Sequence, residues 1–72
     1  MALTLKGRQV RCVKLIERYE DYYGLSIESS RIAKKHIANI NSLAQKYVLS
    51  GNSNFFYDFE TALSYAFAFA KR

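Results

Sequence analysis

The chain predicts an all-α fold, a compact bundle of three helices, and three observations carry that expectation. Apolar residues recur at three- and four-residue steps in three separate stretches. Glycine with small polar residues interrupts the pattern twice, at Gly24-Leu25-Ser26 and at Ser50-Gly51-Asn52-Ser53-Asn54. Proline is absent, so no ring breaks a helix from within. The periods place helices near 8–23, 27–49 and 54–71, all within one domain spanning residues 1–72.

Residues 1–6 read as a short extended segment or a disordered start, because Leu3 and Leu5 alternate with Thr4 and Lys6. From Gly7 or Arg8 onward, Cys12, Ile16, Tyr19 and Tyr23 keep the helical period, with Val13, Leu15 and Tyr22 beside them. Val10 to Leu15 also alternates in part like a strand. The run Glu17-Arg18-Tyr19-Glu20-Asp21 continues the pattern with good helix formers and favours helix. The charges of this helix oppose its dipole, with cations early and Glu17, Glu20 and Asp21 late. Pairs such as Lys14 with Glu17 and Arg18 with Asp21 would recover part of that cost.

Gly24 can end the first helix in a left-handed conformation. Ser26 or Ser29 can then cap the second. Ile32, His36, Ile40, Leu43 and Tyr47 form its stripe, widened by Ala33, Ile37, Ala44 and Val48. A stripe that wide suits a central helix packed against two neighbours. Gly51 ends it, and Ser53 or Asn54 can cap the third helix. There Phe55, Phe56, Phe59, Leu63, Ala66, Phe67 and Ala70 make one apolar face, and Ala62, Tyr65 and Phe69 make a second edge. Two short neighbours do not readily cover both edges, which points to a homodimer or another partner surface as well as to core.

A chain of 72 residues has a small core, and such chains often lean on disulfides, metals or oligomers. One cysteine excludes an internal disulfide, and one histidine beside it makes a zinc site improbable. No metal or other cofactor is expected. The free thiol, the lack of a signal-peptide pattern and the lack of a long apolar run predict a cytoplasmic protein without a membrane span. His36 falls on the central stripe and is expected to be mostly buried. Cys12 lies on an apolar stripe as a small hydrophobe. Neither a phosphate-binding glycine loop nor a metalloprotease motif is present, and no small-molecule substrate or enzymatic activity is expected.

Gly24-Leu25-Ser26 resembles the turn of helix-turn-helix proteins and the junction of ribbon-helix-helix proteins, whose N-terminal strand Leu3-Thr4-Leu5-Lys6 could mimic. The apolar register that should follow arrives at Ile32, while Ser30 holds the position those patterns require. Membership of either family does not follow.

Net charge is +5, and the cations are segregated toward the first half of the chain. Lys6, Arg8, Arg11, Lys14 and Arg18, extended by Arg31, Lys34 and Lys35, form the candidate nucleic-acid-binding surface of a regulatory or accessory protein. A merely solvated face is the plain alternative. The competing functional expectation is a protein–protein interaction module, of the kind encoded by mobile elements, that binds or inhibits another protein. It would use Phe55, Phe59, Tyr65 and Phe69 on the third helix, and an acidic protein surface would also suit the cations. A basic amphipathic helix lying on anionic lipid is a third option.

Overall fold

The computed structural model describes residues 4–71. Helices α1 (Leu5–Tyr23), α2 (Lys34–Ser50) and α3 (Ser53–Ala70) make up the expected three-helix bundle, with no strand among the described residues. The proposed N-terminal extended segment is corrected where it can be seen. Thr4 is an N-cap whose hydroxyl accepts from Gly7 N at 3.1 Å, so Leu5 and Lys6 are already helical. Residues 1–3 lie outside the described range. Gly24 closes α1 at φ 63°, its N–H donating to Glu20 O.

The second helix begins well after residue 27, and the reason is local. Ser26 and Ser29 do not cap α2. Their hydroxyls accept from the backbone N–H two residues ahead, Glu28 N at 3.1 Å and Arg31 N at 3.2 Å. Two successive tight turns, Ser29 N to Ser26 O and Ile32 N to Ser29 O, accompany these bonds. Serine side chains that satisfy nearby backbone offer the chain an alternative to helix, and here that alternative wins. The Glu20 carboxylate reaches across from α1 and accepts from Ile27 N at 2.7 Å, fixing the connection from below. The residues between Gly24 and Ala33 therefore form a long braced loop. A helix-turn-helix needs a turn of about three or four residues, so the similarity of Gly24-Leu25-Ser26 ends at the loop's first residues. Ile32 still reaches the core, from the loop rather than from a helix.

The second connection is short. Gly51 takes φ 72° and donates to Tyr47 O, and Asn52 caps α3 by accepting from Asn54 N at 2.9 Å. The cap is thus Asn52, ahead of both Ser53 and Asn54, the two candidates the sequence offered. Against this tight hairpin α1 lies with its N-terminal turns beside the end of α2. Ile40, Phe59, Leu63 and Phe67 are the largest fully buried side chains, and Cys12, Leu15, Ile32, Tyr47, Val48, Phe56, Ala62 and Ala66 complete the core. α3 supplies six of these core residues, more than α2, so the centre of the core is α3.

Arg8 ties the bundle's upper end. Its Nε donates to Val48 O at 2.8 Å, a carbonyl in the last turn of α2 that has no helical N–H ahead of it. A Cβ on Gly51 would sit 3.2 Å from the same guanidinium, whereas one on Gly24 would meet open space. Both glycines are left-handed, so an alanine at either costs about 1 to 2 kcal/mol in backbone strain. Gly51→Ala should cost more than Gly24→Ala, because it also crowds Arg8. In an Arg8→Met background the two penalties should become equal, a coupling readable by thermal unfolding of the double-mutant cycle. Equal penalties in the wild-type background would count against the tether.

Candidate functional site

The eight candidate cations do not form one surface. Arg8 is half-buried against Val48 and Gly51. Arg11 donates from Nη1 to the Tyr47 hydroxyl at 3.0 Å, and its guanidinium carbon stands 4.0 Å from the centre of the Phe56 ring. Tyr47 and Phe56 are themselves in contact, their rings 4.9 Å apart. Arg11 therefore covers the aromatic pair that joins α2 to α3, while it remains exposed on its outer side. Both arginines serve the fold. Lys6 is exposed at the first turn of α1.

Lys14 and Arg18 are exposed and make no hydrogen bond or ion pair among the described residues. The expected bridges to Glu17 and Asp21 are absent there. With Arg11 they line a groove between α1 and α3, opposite Glu60 and over Leu15 and Phe56. The groove continues toward the end of α1, where Arg18, Tyr19, Tyr22, Tyr23, Glu60 and Ser64 line it. Its floor is fixed by a hydrogen bond between the Tyr19 and Ser64 hydroxyls at 2.9 Å. Tyr23 stacks on Phe67 at 5.6 Å, which holds the end of α1 to α3. Lys34 lines a different, more apolar groove, with Ile16, Ile27, Ile37 and Asn41. Arg31 and Lys35 are exposed in the loop and in the first turn of α2.

The four aromatic candidates on α3 also separate. Phe59 is fully buried and belongs to the core, so it is corrected as a surface contact. Its place on the helix shares the face of Leu63 and Ala66, which points inward. Phe55 is half-buried, with Lys46 Nζ 6.0 Å from its ring centre. Tyr65 and Phe69 are 57% and 49% exposed. Phe69 stacks on Tyr65 and also on His36, each pair 6.1 Å apart and 15° from parallel. His36 is thus largely but not fully buried at the seam of α2 and α3, in line with the expectation that it is mostly buried. Its membership of an aromatic stack is invisible to helical periodicity, because it depends on the register between two helices.

The most exposed aromatic, Tyr22 at 82%, was not among the candidate site residues. It sits beside the apolar stripe of α1 but one step too far round to be covered. The signal was its position four residues after Arg18 and eight after Lys14, on the side of the cations.

Comparison with known protein families, curated proteins and solved structures gives no match. No group of three or more metal-ligating side chains comes together among the described residues, and no helix there is long and apolar enough to cross a membrane.

Cys12 is buried, and burial pushes its thiol above the ordinary value of 9.0, against a smaller lowering by Arg11. A nucleophilic cysteine needs the opposite shift. Iodoacetamide at pH 8 should therefore modify Cys12 slowly in the folded chain and fast in denaturant, a contrast that mass spectrometry reads. The folded chain holds this proton more tightly than the unfolded one. That contribution to stability is complete below pH 9.0 and is lost as pH rises through the folded value.

Proposed function

We propose that the chain is a non-enzymatic nucleic-acid-binding module, regulatory or accessory in role, that holds phosphates along the α1 side of the α1/α3 groove. The single observation that carries this reading is the division among its cations. Arg8 and Arg11 have partners inside the fold, whereas Lys14 and Arg18 stand exposed on one helix face with no partner among the described residues. Cations without internal partners, on a chain of net charge +5, supply the sequence-independent part of affinity for a polyanion. A reducing cytoplasm, where Cys12 stays a thiol, is the setting that suits it.

Removal of both charges, Lys14→Gln with Arg18→Gln, should weaken oligonucleotide binding at least tenfold at low salt and flatten its salt dependence by about one to two units. The fold should survive, because exposed charges add little to stability. Arg8→Gln should do the reverse and lower the melting temperature with little direct effect on binding. Fluorescence anisotropy on labelled oligonucleotides reads the first result. Failure to bind any oligonucleotide at low salt would end this reading.

A second reading is favoured by the stack of His36, Phe69 and Tyr65. Half-exposed stacked rings on a helix seam suit a protein partner, whether another protein that the chain inhibits or a second copy of itself. Sedimentation at micromolar concentration should then show more than a monomer, and Tyr65→Ala should return it to monomer. A monomer at all concentrations would leave only a heterologous protein for this face.

A further inference from the structure

We infer that the α1/α3 groove takes single-stranded rather than duplex nucleic acid, with phosphates along Arg11, Lys14 and Arg18 and an unpaired base on the ring of Tyr22. The inference rests on the nucleic-acid reading above and names the ligand of that same groove.

Spacing comes first. Lys14, Arg18 and Tyr22 follow one another at four-residue steps, so they lie on one face of α1 about 6 Å apart. That step is comparable with the distance between successive phosphates on an extended strand. Arg11 continues the row by one further turn. Its Nη1 is held by Tyr47, and a guanidinium has five N–H donors, so donors remain on its exposed side.

The end of the row is aromatic. Tyr22 is 82% exposed and meets Tyr23 edge to face at 4.9 Å, while Tyr23 is anchored on Phe67. The ring is braced at its base yet open to solvent. A base in a paired stack has no free face to offer such a ring, and an unpaired base has two.

Carboxylates then limit the width. Glu17 and Asp21 share the outer surface of α1 with Lys14 and Arg18, and Glu60 faces Arg18 from α3. The cations form a single rail with negative charge on both sides. One line of phosphates can lie between these carboxylates. A duplex presents about one charge per 1.7 Å along two strands, and its second strand would be driven onto them.

The test uses the whole chain, a labelled oligothymidylate and a hairpin duplex of equal phosphate number, measured by anisotropy across a salt series. The single strand should bind about tenfold tighter than the hairpin. Tyr22→Ala should lower single-strand affinity about tenfold without changing the salt slope. Tyr22→Phe should keep wild-type affinity, which separates stacking from the hydroxyl and from any loss of fold. Arg18→Gln should reduce the single-strand slope by about 0.7. Equal or tighter binding of the hairpin, or wild-type affinity in Tyr22→Ala, would overturn the single-strand inference and leave nucleic-acid binding standing. Binding of neither probe at low salt would overturn both.

Discussion

The bond from Arg8 Nε to Val48 O is the constraint on which the arrangement of the bundle depends. It places the positive start of one helix beside the negative end of another. The charges of α1, viewed along that helix alone, are arranged against its own dipole. Beside α2 the arrangement is sound, since α2 ends where Arg8 and Arg11 stand, and cations near a helix C-terminus are favoured. Gly51 belongs to the same constraint. Its left-handed turn stops α2, and its missing side chain leaves room for the guanidinium. Arg11 adds a second attachment through Tyr47 and Phe56, so both arginines hold α1 to the α2–α3 hairpin.

Periodicity revealed three helices because their buried faces are chemically uniform. Cys12, Leu15, Ile40, Tyr47, Leu63, Ala66 and Phe67 all lie where three- and four-residue steps put them. The stretch from residue 27 to 33 misled because Ile27 and Ile32 are apolar and buried or half-buried, as helix residues would be. Their burial comes from two serine-stabilised turns and a glutamate brace. Those contacts are made by polar side chains over short range, and a hydrophobic pattern carries no trace of them.

The candidate site was legible only as composition. That the first half of the chain is basic is plain in the sequence. Which cations are occupied by the fold depends on what lies forty residues away, as with Arg8 and Val48. Likewise Phe59 and Tyr65 look alike as aromatic residues of one helix, and only the direction of the neighbouring helices distinguishes core from surface. Tyr22 stands beside the apolar stripe, between Asp21 and Tyr23, and periodicity alone does not say whether such a residue is covered. Its exposure follows from the width of the α1/α3 contact, which ends before reaching it.

The two connections of the bundle differ in length, and this has a kinetic meaning. α2 and α3 are joined by a tight capped turn and pack chiefly on each other, so their contacts close a short loop. α1 is attached through contacts distant in sequence, Arg8 to Val48 and Tyr19 to Ser64, across a long loop. Contacts between distant residues form late, because loop closure must precede them. The hairpin is therefore the expected early unit, and α1 the helix expected to dock last and open first. The groove exists only while α1 is docked. Any ligand held there stabilises the closed form over the opened one, so occupancy and the rigidity of the first helix rise together.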